Sequence, residues 1–180
     1  MQSFVYVNPS DADERITFWK NFLKLSMKFF HEQGLERFED LKKFDARKVL
    51  DEPLWKLPEI NGKYHGRYYS RDVWERTLKE NELPSKLGGR WNESRAVLVL
   101  EHVVERASLL RWLFEDTSRI DLIDQVCVGC VVSKDEDSRL PRRREVDPNN
   151  LWQRYLEAKI DVYDRELQRW HILDGKVCEQ

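Results

Sequence analysis

Apolar positions recur at three- and four-residue spacing in several stretches of the chain. Ile16, Trp19, Phe22, Leu23, Met27 and Phe30 form such a row, which predicts a helix over 11–33 with one buried face. Ser10 stands as its cap, Asp11, Asp13 and Glu14 complement the positive end of the helix dipole, and Gly34 supplies a stop. Leu35, Phe38, Leu41 and Val49 predict a second, shorter helix over Leu35–Leu50. Pro53 and Pro58 bracket Leu54, Trp55 and Leu57, so 51–62 reads as an irregular apolar connection ending in an Asn61-Gly62 turn. Ser70 caps a helix over 71–80 with Val73, Trp74, Thr77 and Leu78 facing inward.

The most apolar stretch is Arg95–Glu115. As one helix it carries Ala96, Val99, Leu100, Val103, Ala107, Leu110 and Phe114 on a continuous face, behind Asn92 or Ser94 as cap. As a strand followed by a helix, Ala96–Leu100 would be the strand and Glu101-His102 the junction, which the valines favour. Length and unbroken periodicity favour the single helix.

The remaining segments are shorter. Phe4–Val7 is a brief strand or packed arm, and Leu83–Trp91, with Pro84, Gly88 and Gly89, is a basic loop. Val126–Ser133 is apolar on both alternating sets, the pattern of a buried strand. Ser133 and Glu136 form a capping box for a short helix to about Leu140. A further helix runs over about Leu151–Ala158, and Ile160–Tyr163 is a strand expected to pair with Val126–Ser133. From Gln168 onward no period is visible. The expected fold is helix-dominated α+β, with five to six helices around a central helix at about 95–114. Its sheet has two or three strands drawn from 64–70, 126–133 and 160–163. One domain covers 1–180, as a helical subregion at 1–60 and an α+β portion at 61–180.

Composition narrows the setting. Charged residues make up 36% of the chain while the net charge is only −2, so long solvated helix faces are expected and no global basic excess announces nucleic acid. Without an apolar run of membrane length the expectation is no membrane. The N-terminus lacks the regions of a secretory signal, and three cysteines do not make a disulfide framework. A reducing cytoplasm is the simplest setting.

Candidate chemistry centres on His102, a histidine inside an apolar run, with Glu101 and Glu105 beside it. A neutral imidazole suits a general base or a metal ligand, and equally a buried structural histidine with a carboxylate partner. The string Leu100-Glu101-His102-Val103-Val104 resembles the acid-His-Val/Ile-Val/Ile-Pro signature of HNH, or ββα-metal, nucleases. Val131–Asp137 and Trp152–Asp164 are similar to the later elements of bacterial proteins that carry a Glu-His-Val-Val-Pro string. The resemblance covers about residues 62–164. It implies a nucleic-acid-associated protein in which His102 is the base and Glu101, His102 and Glu136 hold a divalent ion, Mg²⁺ or Mn²⁺. Glu105 stands where the family has proline and Asp137 where it has a second histidine, which points to a divergent or degenerate centre.

Two patches add to the nucleic-acid reading. Arg139, Arg142, Arg143 and Arg144 offer charge to phosphates. Lys63, Arg67, Tyr68 and Arg71 interleave basic and aromatic side chains, with Tyr64 and Tyr69 available for stacking. Each has a bland counterpart, a solvated loop or tyrosines packed on the core. Cys127-Val128-Gly129-Cys130 has no second pair to complete a zinc site and reads as buried structural cysteine. No phosphate-binding glycine loop or nucleophile elbow is present. The alternative reading is a non-enzymatic protein-interaction module, such as a phage or mobile-element inhibitor or adaptor that binds a partner protein. A third is a domain that forms a homodimer through one helix face.

Overall fold

The computed structural model describes residues 9–44, 46–61, 64–80, 98–142 and 146–178. Phe4–Val7, Lys63, the 83–91 loop, the Asn92 and Ser94 caps, Arg143 and Arg144 lie outside the described residues. Among those described are seven α-helices, two 3-10 segments and six strands. The helices are α1 (Pro9–Glu32), α2 (Ala46–Lys56), α3 (Arg71–Glu80), α4 (Arg106–Glu115), α5 (Ile123–Val126), α6 (Lys134–Arg139) and α7 (Gln153–Ala158). The strands are β1 (Tyr68–Ser70), β2 (Leu98–His102), β3 (Gly129–Ser133), β4 (Val162–Asp164), β5 (Arg169–Leu173) and β6 (Lys176–Val177). The architecture is helix-dominated α+β, as the periodicity predicts, but the sheet has six strands rather than two or three.

The longest helix ends as its sequence dictates. Gly34 adopts a left-handed φ of 77°. The Leu35 amide then donates back to Phe30 O and the Gly34 amide to His31 O, both at 2.9 Å, while Leu35 and Phe30 are both buried. This is a Schellman closure with its apolar contact. α7 closes in the same way on Lys159, a residue with a side chain held at φ 53°.

The Arg95–Glu115 stretch is not one helix. Residues 98–102 are strand β2, the chain turns at 103–105, and α4 starts at Arg106. Glu105 sits at φ −57°, ψ 133°, outside the helical region. Three-and-four spacing and alternation overlap in a run this apolar, and the β-branched residues with an available edge on β3 decide for the strand. Two other expectations also change. α2 continues through Pro53, where 51–62 was expected to be irregular. The carbonyl that Pro53 cannot serve belongs to Val49, an exposed residue that water reaches. Leu78 of α3 faces solvent rather than the core.

The sheet runs in the order β2-β3-β1-β4-β5-β6. β1 and β3 are parallel and every other pair is antiparallel. β4 therefore pairs with β1 and β5, not with the 126–133 segment, because β1 lies between them. β5 and β6 form a hairpin over Asp174-Gly175, both with positive φ. That is the primed two-residue turn, and Asp-Gly is its sequence signal. The register separates two faces. Leu100, Val131 and Tyr69 share one, packed with Val73 of α3. Glu101, Cys130 and Tyr68 share the other, under Trp152 and Tyr155. A third apolar cluster joins α1, α2 and α4.

The helical part meets the sheet at Gly129. A Cβ there would lie 2.8 Å from Pro58 Cβ and 2.9 Å from Leu100 Cδ1. The proline ring cannot turn aside, so only glycine admits this approach. Gly129→Ala is expected to lower unfolding stability by about 1–3 kcal/mol through overpacking. An unchanged urea midpoint would contradict the contact.

Candidate functional site

β2 presents Glu101 and His102 to opposite faces of the sheet, because successive strand residues alternate. The His102 ring lies on the α2 side, 5% exposed. Its Nε2 is 2.9 Å from the Leu54 carbonyl oxygen. A carbonyl only accepts, so Nε2 carries the proton and donates. Trp55 meets the ring edge-on at 5.2 Å, and the Arg106 guanidinium covers the Trp55 face at 4.4 Å.

Leu54 needs this donor for a reason visible in the sequence. A helical carbonyl accepts from the amide four residues on, and position 58 is proline, which has none. Leu57 reaches back to Pro53 O at 2.9 Å, which leaves Leu54 O open. Cys127 Sγ also donates to it, at 3.4 Å. His102 and the first cysteine of the C-x-x-C thus share the work of capping α2. Burial pushes the imidazole pKa down to about 4, with the nearby Arg106 and Arg154 charges adding to the shift against the Leu54 bond. Burial pushes both the Cys127 and Cys130 thiols up, and the two cysteines belong to different apolar clusters.

Glu101 lies on the other face, with Arg154 of α7. The buried Arg154 guanidinium donates from Nη1 to Glu101 Oε1 at 3.0 Å and to His102 O at 2.9 Å, and from Nε to Pro141 O at 2.7 Å. Glu105 Oε1 stands 3.9 Å away. Burial raises the Glu101 pKa against the pull of Arg154. A cleft of about 150 Å³ opens beside this group between Val103–Glu105 and Asp147–Arg154. It is smaller than the usual ligand pocket, and Glu101, His102 and Glu136 do not line it.

Glu136 has a third location. It completes the expected capping box, its Oε2 accepting from the Ser133 amide at 2.9 Å and from Ser133 Oγ at 3.0 Å. The Ser70 hydroxyl donates to the same oxygen at 2.5 Å. The carboxylate therefore ties the ends of β1 and β3 to the start of α6. His102 pairs with Gly129 at one end of β3, and Glu136 follows Ser133 at the other. Four strand residues separate those ends, about 13 Å. The three residues thus do not fit a shared divalent ion. Among the described residues no group of three or more His, Cys, Asp or Glu is arranged to hold a metal.

The interleaved basic and aromatic residues are spent on the fold. Arg67 donates to Asp164 Oδ2 at 2.7 and 2.9 Å, lies 3.4 Å from Glu166 and covers the Tyr68 ring at 5.0 Å. Tyr68 packs edge-on against Trp152 at 4.8 Å. Arg71 pairs with Asp161 at 3.1 Å and covers Trp170 at 4.8 Å. Arg139 and Arg142 are exposed. The sequence reading missed Arg154, whose place between Trp152, Gln153, Tyr155 and Leu156 gives no signal of the remote acceptors it reaches. It also missed the α1 positions Phe18, Leu25 and Phe29, which are exposed and repeat with Phe22 at helical spacing.

Compared with protein-family models, with curated proteins and with solved structures, the chain matches none. No described helix is long and apolar enough to cross a membrane.

The His102 environment makes stability depend on pH in a defined direction. The imidazole titrates at about 4 in the fold, against 6.5 for a free side chain. Between those values the unfolded chain binds a proton that the folded one refuses. The contribution is complete above pH 6.5 and is lost as pH falls toward 4. Its full size is about 3 kcal/mol. The urea midpoint of a His102→Asn variant should fall less than that of the parent between pH 7 and 4.5. Parallel curves would show that His102 does not carry this dependence.

Proposed function

We propose that the protein is a non-enzymatic interaction module that acts by binding a partner protein through the outer face of α1. The observation that carries this is a second apolar row on that helix, Phe18, Phe22, Leu25 and Phe29. Phe18 is 58%, Leu25 68% and Phe29 55% exposed. Ile16, Leu23, Met27 and Phe30 already supply the row that meets the core. Aromatic and leucine side chains kept on the solvent side of a charged helix are the composition of an interface centre.

The buried, paired state of the acid and histidine residues supports binding over catalysis. A base must reach its substrate, and His102 is enclosed and engaged with Leu54. A nucleic-acid surface is less favoured, since Arg67 and Arg71 are paired with carboxylates and the whole chain is slightly acidic.

Two measurements test the reading. A photo-crosslinking phenylalanine analogue placed at Leu25 in the native host should give a discrete protein adduct. The same analogue at the exposed Lys134 should not, and no excess at Leu25 over Lys134 would overturn the proposal. Plasmid DNA incubated with Mg²⁺ or Mn²⁺ should be cut no faster by the parent than by Glu101→Gln, which keeps an acceptor for Arg154. Metal-dependent cleavage lost in that variant would restore the nuclease reading.

A further inference from the structure

The cleft between Val103–Glu105 and Asp147–Arg154 holds a donor and an acceptor that the fold leaves unused. Arg154 is buried and fixed in place. Its Nε and Nη1 donate to Pro141 O, Glu101 Oε1 and His102 O, and its Nη2 makes no hydrogen bond among the described residues. Glu105 Oε1 stands 3.9 Å from Nη2, an ion-pair distance but too long for a hydrogen bond. Glu105 also leaves the N-cap position of α4 without a side-chain bond. Both residues line the cleft. The other polar side chains there are engaged with neighbours. Asp147 accepts from the Asn149 amide at 2.9 Å, Asn150 donates to Gln153 at 2.8 Å, and Gln153 donates to Glu157 at 2.9 Å.

The charges narrow what such a pair can hold. A carboxylate ligand would suit Arg154 but meet Glu105 and Asp147. An ammonium ligand would suit those acids but meet the buried guanidinium. A neutral group that accepts from Arg154 and donates to Glu105 suits both. A trans peptide bond sends its C=O and N–H to opposite sides. A primary carboxamide carries an oxygen and an N–H on one edge, roughly 2.2 Å apart by standard bond lengths. Set against a donor and acceptor 3.9 Å apart, that edge makes two hydrogen bonds that splay only slightly outward.

We propose that this cleft is a subsite for a primary carboxamide, presented as a glutamine side chain by a protein partner. Val103, Val104 and Leu151 supply apolar walls for the methylenes. The volume is about 150 Å³, and a cavity of that size admits roughly six non-hydrogen atoms, as in benzene. A glutamine side chain has five and fits; a purine base does not. No residue of α1 lines the cleft, so this contact is separate from the one proposed for Phe18, Leu25 and Phe29.

The test uses the full chain and small probes, read by amide chemical shifts in NMR. Propionamide should shift Val103, Val104 and Leu151 saturably, with a millimolar dissociation constant. Propionate and propylammonium, of the same size, should bind at least about tenfold more weakly, since each lacks one of the two bonds. Glu105→Ala should keep the melting temperature and weaken propionamide about tenfold. Acetyl-Ala-Gln-Ala-N-methylamide should reproduce the propionamide shifts, and the same peptide with glutamate should not. No saturable shift, equal binding of propionate, or a response that survives Glu105→Ala would each overturn the carboxamide site. Tighter binding of uracil than of propionamide would make it a site for a nucleobase instead. Propionamide binding without peptide binding would overturn the side-chain source.

Discussion

One unsatisfied carbonyl organises the junction between the helical part and the sheet. Pro58 removes the amide that Leu54 O would have accepted, and the C-terminus of α2 is buried against β2 and β3. An orphaned buried acceptor costs about 1–3 kcal/mol, so donors must come from elsewhere in the chain. His102 and Cys127 provide them. Gly129 then lets the Pro58 ring approach the strand. The proline that ends the helix therefore explains a histidine, a cysteine and a glycine at three distant positions. Burial keeps the imidazole neutral against the pull of the Leu54 carbonyl, and its one visible task is to donate.

Other polar residues act in the same way. Arg154 gathers the carbonyls of Pro141 and His102 with the Glu101 carboxylate. Glu136 holds two strand ends through Ser70 and Ser133. Each is a charged group mostly withdrawn from water with at least one partner from a segment remote in sequence. Replacing one partner would leave the other stranded at several kcal/mol. These groups are effective as ties between elements, and the same pairing leaves them poor reagents.

The sequence shows clearly whatever depends on local rules. α1, its Gly34 closure and the Ser133–Glu136 box follow from spacing and capping alone, and the structure has them. β2 was hidden because a run such as Val-Leu-Val-Leu satisfies both periods, and only the neighbouring strand decides between them. The β5–β6 hairpin was announced by Asp174-Gly175 but obscured by charged residues around it. The roles of His102 and Arg154 were not legible, since each depends on a carbonyl about fifty residues away. An acid-histidine pair adjacent in sequence suggests a shared centre. In a strand adjacency means opposite faces, so the assignment of β2 also decided what that pair was able to do.

The position of β1 has a consequence for how the chain reaches this state. Its three residues lie at the middle of the sheet, yet their neighbours are β3, about sixty residues downstream, and β4, about ninety. The strand is made early and finds both partners late. Contacts of such separation close slowly; Tyr69 meets Val73 and Trp74 of α3 close by in sequence, but Val131 only across the β1–β3 pairing. The β3 edge and the β4 edge are both covered by this one short segment. β1 is the strand that joins the β2–β3 ladder to the β4–β5–β6 ladder, so the sheet is continuous only when this short segment pairs on both sides.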